Sequence, residues 1–162
     1  MIQTKCFPDI VLRPHAAQYA IDNLSVMVLC IAAWIYGGME NLPLGGPATA
    51  LALVLSAILA YRFVYLRRML YRIGRETLVS EHGILRRKVD YMELYRIVDF
   101  REHQSLLQQF FGMKTVSILS MDRSTPRLDI VGVCRHNDIV PLLRERVEYN
   151  KQRKGIYEIT NH

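Results

Sequence analysis

Positive charge is missing from nearly a third of this 162-residue sequence. Residues 14–61 contain no Lys or Arg, and their only acidic residues are Asp22 and Glu40. Residues 23–39 and 41–61 are therefore runs of 17 and 21 residues without a formal charge. Because a charged side chain costs roughly 2.5–3.5 kcal/mol at the centre of a bilayer, runs of this kind are typical of membrane-spanning helices.

The two runs predict a helical hairpin with spans over about residues 20–38 and 47–66. A Gly- and Pro-rich segment separates them, and Pro47 is expected as the first residue of the second helix, where its missing N–H is no loss. The second span covers about 30 Å, which is enough to cross the hydrocarbon core. A buried helix pair in a soluble protein is the alternative, but neither run shows the polar face that such a pair requires.

The basic residues that flank the two runs indicate an orientation. Arg62 and further arginines crowd the C-terminal end of the second span, Lys5 and Arg13 precede the first, and the connecting loop has no positive charge. The positive-inside rule then places both termini in the cytoplasm. We therefore expect an integral protein of the bacterial inner (cytoplasmic) membrane.

Small side chains recur every four residues along the second span. In lipid, such a stripe lets two helix backbones approach closely. It is expected to be the seam of the hairpin or of an oligomer, unless it only reflects the abundance of Ala in membrane helices. The stripe consists of Ala48, Ala52, Ser56 and Ala60.

Motifs for disulfides, metals and catalysis are also missing. Three cysteines, Cys6, Cys30 and Cys134, form an odd number, and a reducing cytoplasm disfavours disulfides. No carboxylate is placed to orient His103 as a base for Ser105. The sequence therefore predicts no enzyme activity, cofactor, metal or small-molecule substrate. Nucleic acid is not an expected partner either, because membrane orientation accounts for the basic residues and no aromatic stacking platform accompanies them.

From Met69 onward the apolar pattern changes to a period of two, which indicates strands. Residues 67–162 hold 18 Lys/Arg against 12 Asp/Glu and so account for the whole net charge of +6. His82 and Gly83 are expected to form a turn, because Gly supplies the positive φ of hairpin loops. The predicted strands lie at 76–81 and 84–91, and around 98–101, 116–118 and 128–130.

Two helices are expected in the same region. Ser105 and Gln108 form a capping box that opens a short helix ending at Gly112. A C-terminal helix is predicted with Asn137 as its N-cap. This helix is expected to close the open end of a curved sheet with an apolar stripe of Ile139, Leu142, Leu143 and Val147.

Three short motifs, in this order and spacing, carry a family resemblance. They are His82-Gly83-Ile84-Leu85, Arg96-Ile97-Val98-Asp99, and Gln104-Ser105-Leu106-Leu107 with Gly112. Residues 71–147 resemble the bacterial pleckstrin-homology-like (PH-like) domain of YdbS-like membrane proteins, in which two preceding spans are common. The resemblance implies an α+β domain, a bent antiparallel sheet or partial barrel capped by the C-terminal helix. The expected divisions are an N-terminal cytoplasmic segment 1–18, a two-helix anchor 19–66, the PH-like domain 67–150 and a tail 151–162.

Basic residues after the second span are the candidate contacts for lipid or for a protein partner. Each such residue gains about 1 kcal/mol near an anionic membrane surface, although topology and solvation also account for them. The hypothesis is a membrane-anchored binding or scaffold protein whose cytoplasmic PH-like domain faces anionic lipid or a membrane partner. The alternative is an accessory structural subunit of a membrane complex, with self-association through the domain. The candidate contacts are Arg67, Arg68, Arg72, Arg75, Arg86, Arg87 and Lys88.

Overall fold

The computed structural model describes residues 7–39 and 43–155. The predictions for Lys5, Cys6, Glu40 and the last residues of the tail lie outside the described residues. Within the described part, two long helices are followed by two small antiparallel sheets and a C-terminal helix. The elements are β1 (Ile10–Leu12), α1 (Ala16–Gly37), α2 (Gly45–Arg68), β2 (Leu70–Ile73), β3 (Thr77–His82), β4 (Lys88–Glu93), β5 (Ile97–His103), α3 (Leu106–Phe110), β6 (Met113–Ser120), β7 (Arg127–Cys134) and α4 (Ile139–Arg153).

Helices α1 and α2 are long and apolar enough to cross a membrane. They have 22 and 24 residues, or about 33 and 36 Å at 1.5 Å per residue. Only 17% and 11% of their most apolar stretches are buried within the described structure. The core helix of a soluble domain buries most of its apolar surface, and these two do not. The hairpin is as expected, although α2 begins at Gly45, so that Pro47 is its third residue and not its first.

The two helices pack through small side chains. Ala52 is fully buried, and Cys30 Sγ lies 3.3 Å from Ser56 Oγ on the other helix. A Cβ atom added at Gly37 would lie only 2.6 Å from Thr49 Cγ2, so the helix backbones are close at this point. Of the predicted stripe, Ala48 and Ser56 are half-buried, Ala52 is buried and Ala60 is exposed.

The hairpin is inserted between two neighbouring strands of one sheet. Strand β1 precedes α1 and pairs antiparallel with β2, which follows α2, with Leu12 opposite Tyr71. The first sheet has the order β1-β2-β3-β4 and the second the order β5-β6-β7. Strand β1 was not predicted, because three residues ahead of Arg13-Pro14 show no measurable alternation of apolar and polar side chains.

The core lies between the two sheets and α4. Tyr71 is 1% exposed, and its hydroxyl donates a hydrogen bond of 3.0 Å to the carbonyl oxygen of Asp129 on the second sheet. Leu143 and Val147 of the predicted stripe are buried from the side of α4. The fully buried apolar side chains include Ile73, Leu78, Met92, Leu94, Val116, Ile118, Ile130 and Leu143.

Local predictions in this domain were largely confirmed, with four corrections. Helix α3 ends at Phe110 and not at Gly112, and β2 was not among the predicted strands. Ser105 Oγ accepts a hydrogen bond from Gln108 N, and Gln108 Oε1 accepts one from Ser105 N, which is the expected capping box. The N-cap of α4 is Asp138, one residue after the predicted Asn137. The strand predicted at 84–91 begins only at Lys88, because the turn at Gly83 opens a five-residue loop, 83–87, before pairing resumes.

Candidate functional site

Three of the predicted basic residues lie around one pocket at the junction of α2 and the first sheet. Arg67 and Arg68 come from the last turn of α2, and Arg87 comes from the loop 83–87. Arg13, which follows β1, joins them. We call this site, of about 290 Å³, the arginine pocket; it is completed by Met69, Leu70, Glu81, His82, Gly83 and Ile84.

The pairing of the first sheet brings these segments together. Strand β2 starts directly after α2, and its first residue, Leu70, lies opposite Glu81 near the end of β3. The loop after β3 therefore returns to the end of α2. The ring of His82 lies 6.4 Å from the ring of Tyr65 in the last turns of α2. On the other side, Leu12 pairs with Tyr71, which places Arg13 at the same end of the sheet.

The arginine pocket is strongly positive. Four arginines and one acidic residue, Glu81, line it, and the carboxylate of Glu81 accepts a hydrogen bond from Arg87. Among the described residues, Arg13, Arg67 and Arg68 have no acidic partner within ion-pair distance. The side chain of Arg87 is 71% exposed, so the pocket is open to solvent and to a ligand.

The other predicted contacts lie outside the pocket. Arg86 is exposed in the same loop, and Lys88 forms an ion pair of 3.2 Å with Asp90. Arg72 is exposed in the middle of β2. Arg75 lies beyond the far end of β2, where its Nη2 donates a hydrogen bond of 3.0 Å to Tyr149 OH. Although Arg75 follows α2 closely in the sequence, it therefore does not lie near the end of α2 in the structure.

Arg13 is the member of the pocket that the sequence analysis did not include among the contacts. Its position before the first span was used only to orient the helices. The missing information was the pairing of β1 with β2, which brings Arg13 beside a helix end more than 50 residues later. Within the described residues, no group of three or more His, Cys, Asp or Glu side chains has a geometry that could hold a metal ion.

Two apolar helices joined to a pair of antiparallel sheets, closed by a C-terminal helix, define a PH-like domain attached to a helical hairpin. The family model described as "Bacterial PH domain" matches residues 21–147, more than three quarters of the chain. This chain belongs to the bacterial PH domain family, which confirms the resemblance at the level of the family. Neither the search of curated proteins nor that of solved structures gave a match. PH-like domains are in general binding modules for lipids or proteins.

Proposed function

We propose that this chain is a membrane-anchored binding protein that holds an anionic lipid headgroup in the arginine pocket. In this proposal α1 and α2 cross the bacterial inner membrane, and the PH-like domain lies in the cytoplasm. The helix lengths match a hydrocarbon core about 30 Å thick. The orientation follows from Arg13, Arg62, Arg67 and Arg68, which all lie at the end of the hairpin that joins the domain.

One observation carries the proposal: three separate segments of the chain bring four arginine residues to the lining of one pocket. Arginine presents donors in a planar fork that matches the oxygens of a phosphate group. The single carboxylate of Glu81 neutralises only one of the four charges. Since the pocket borders the last turn of α2, a lipid phosphate at the cytoplasmic surface lies within reach.

The test compares two neighbouring arginines of the same loop. The full chain is purified in detergent with phosphatidylglycerol or phosphatidylcholine, and the retained lipid is counted by native mass spectrometry. A residue that contacts the headgroup directly contributes more than the roughly 1 kcal/mol that any basic residue gains near an anionic surface. A contribution of about 1.4 kcal/mol corresponds to a factor of ten in the binding equilibrium. We therefore expect Arg87→Ser to reduce retention of phosphatidylglycerol about tenfold.

Arg86→Ser is the matched control, because it removes the same charge from the same loop without touching the pocket. We expect this variant to lower retention only a few-fold. Arg67 and Arg68 are left unchanged, since their loss also weakens the orientation of the hairpin. Equal losses for Arg86→Ser and Arg87→Ser contradict a specific pocket.

Two further outcomes bear on the rest of the proposal. Full-length protein that stays monodisperse in the supernatant after ultracentrifugation without detergent contradicts the membrane anchor. Unselective lipid retention, together with a stable complex in detergent extracts, favours the accessory-subunit hypothesis or self-association over lipid binding.

A further inference from the structure

The short helix α3 exposes a continuous apolar surface. Leu106 and Phe110 are 84% and 85% exposed, and Leu107 and Phe111 are 41% and 50% exposed. The accessible surface of a large apolar side chain is about 200 Å², so these exposed fractions amount to roughly 500 Å² for the four side chains together. A patch of this size is at the upper end of what a soluble monomer exposes, and such patches are often places of contact with a protein or a membrane. The segment 106–111 contains no charged residue.

Helix α3 is fastened to the start of α1. The buried side chain of Gln108 donates hydrogen bonds to Gln18 Oε1 at 3.0 Å and to Thr115 Oγ1 at 2.9 Å. Gln18 lies in the first turn of α1. At about 100° per residue, Leu106 and Phe110 share a face that points away from Gln108. The apolar surface of α3 therefore faces outward beside the end of the hairpin.

The position of α3 along α1 matches the level of lipid headgroups. Gln18 precedes Leu24, an exposed apolar residue in the charge-free run, by six residues or about 9 Å. The headgroup layer is about 5–8 Å thick on each side of the hydrocarbon core. The hydrogen bond between Gln108 and Gln18 therefore holds α3 close to the outer edge of this layer.

A second apolar tip lies at the same end of the domain. Leu85 is 92% exposed in the loop 83–87, and its neighbour Ile84 lines the arginine pocket together with the last turn of α2. Leu85 and α3 thus project next to the two helices that enter the membrane, and the arginine pocket lies beside Leu85. Aromatic and aliphatic side chains combined with neighbouring arginines are the composition of elements that bind the membrane interface.

We propose that α3 lies in the headgroup layer, with Leu106 and Phe110 inserted at the boundary of the acyl chains. This inference rests on the proposed membrane anchor but not on the arginine pocket. In this inference, the bilayer that α1 and α2 cross also covers the apolar surface of α3. The insertion holds the PH-like domain flat against the membrane through a third point of attachment.

The test uses tryptophan fluorescence, because the chain contains a single tryptophan, Trp34. The full chain carrying W34F and F110W is reconstituted in phosphatidylcholine whose acyl chains are brominated. Phe110 is 85% exposed, so the substitution leaves the fold intact. Emission of this reporter is expected to shift to the blue and to be quenched several-fold more strongly than that of the control.

The matched control carries W34F and M121W. Met121 is 80% exposed and directly follows β6, whose first residue, Met113, is next to α3. Eight residues of strand separate the two positions by about 25 Å. Neutral lipid is used throughout, so the result does not depend on anionic headgroups. Equal quenching of the F110W and M121W reporters overturns the inference.

Unsubstituted protein separates the failure of this inference from the failure of the proposed anchor. Trp34 lies in α1 and is 46% exposed, so brominated lipid quenches it when α1 spans the bilayer. Quenching of Trp34 without quenching of the F110W reporter overturns the insertion of α3 and leaves the anchor in place. Absence of quenching in both overturns the anchor as well.

Discussion

Arg146 of α4 donates a hydrogen bond of 2.6 Å to the carbonyl oxygen of Pro8, which lies 138 residues earlier in the chain. The same guanidinium donates to the carbonyl oxygens of Ile73, at 3.0 Å, and of Gly74, at 2.7 Å. Burial lowers the pKa of Arg146, while the carboxylates of Asp9 and Glu145 raise it. One buried side chain thus ties the segment before β1 and the end of β2 to the C-terminal helix.

Replacement of this side chain is expected to destabilise the PH-like domain. Arg146→Met keeps the length of the side chain but leaves three carbonyl groups without their donor. The hydrogen bond to Ile73 is buried, and those to Gly74 and Pro8 are partly buried. Since an unsatisfied buried group costs about 1–3 kcal/mol, the free energy of unfolding is expected to fall by about 2 kcal/mol or more. Thermal unfolding in detergent provides the measurement.

Arg144→Met is the control for this prediction, because Arg144 is exposed on the same helix. It should change the free energy of unfolding by no more than about 0.5 kcal/mol. If the two variants unfold at the same temperature, Arg146 does not link the three segments as described.

Gly83→Val is expected to disrupt the loop that carries Arg87. Gly83 has φ +112°, which a β-branched residue resists, and a Cβ atom there would lie 1.9 Å from the carbonyl oxygen of Arg86. We expect a loss of about 2 kcal/mol or more in the free energy of unfolding. Leu85→Val, at a 92% exposed position of the same loop, is the control and should unfold like the unsubstituted protein.

Tyr71 is expected to make stability depend on pH above the neutral range. Its burial raises the pKa of the hydroxyl from 10.0 to about 12. The folded state therefore favours the neutral hydroxyl, and the stabilisation is complete below pH 10 and lost as the pH rises through 12. Between pH 9 and pH 11, the unsubstituted protein should lose about 1.4 kcal/mol more in free energy of unfolding than Tyr71→Phe.

Tyr71→Phe also removes the hydrogen bond to Asp129, so at pH 7 this variant should be less stable by about 1 kcal/mol. Chemical unfolding at pH 7, 9 and 11 separates the two effects. Parallel losses in both proteins between pH 9 and pH 11 mean that Tyr71 titrates at its ordinary pKa.

Ala52→Leu is expected to separate α1 from α2. Ala52 is fully buried, and Cys30 Sγ lies 3.8 Å from its carbonyl oxygen. Overpacking at such a contact costs about 1–3 kcal/mol. Titration with sodium dodecyl sulfate in mixed micelles measures this loss in the free energy of unfolding. Ala50→Leu adds the same volume at an exposed position of α2 and should leave the transition unchanged. A transition that moves equally in both variants argues against this seam.

Features that depend on neighbouring residues could be predicted from the sequence alone. The absence of charge over residues 23–39 and 41–61 determined two helices too apolar for a soluble surface, because transfer of charge into lipid is costly. The capping box at Ser105 and the turn at Gly83 follow from the hydrogen bonds and the φ angle of single residues. Alternation of apolar residues determined most strands for the same local reason.

Only the tertiary structure decided which distant segments meet. Arg146 lies among charged neighbours in the sequence of α4, so nothing local indicates that it is buried. The carbonyl groups that accept its hydrogen bonds belong to residues at least 72 positions away in the sequence. Strand β1 has three residues and is stable only because β2 supplies its hydrogen-bond partners. The arginine pocket depends on that pairing too, since it brings Arg13 to Arg67. Short-range periodicity carries no information on such pairings, which are decided by the shared core and by the register of the sheet.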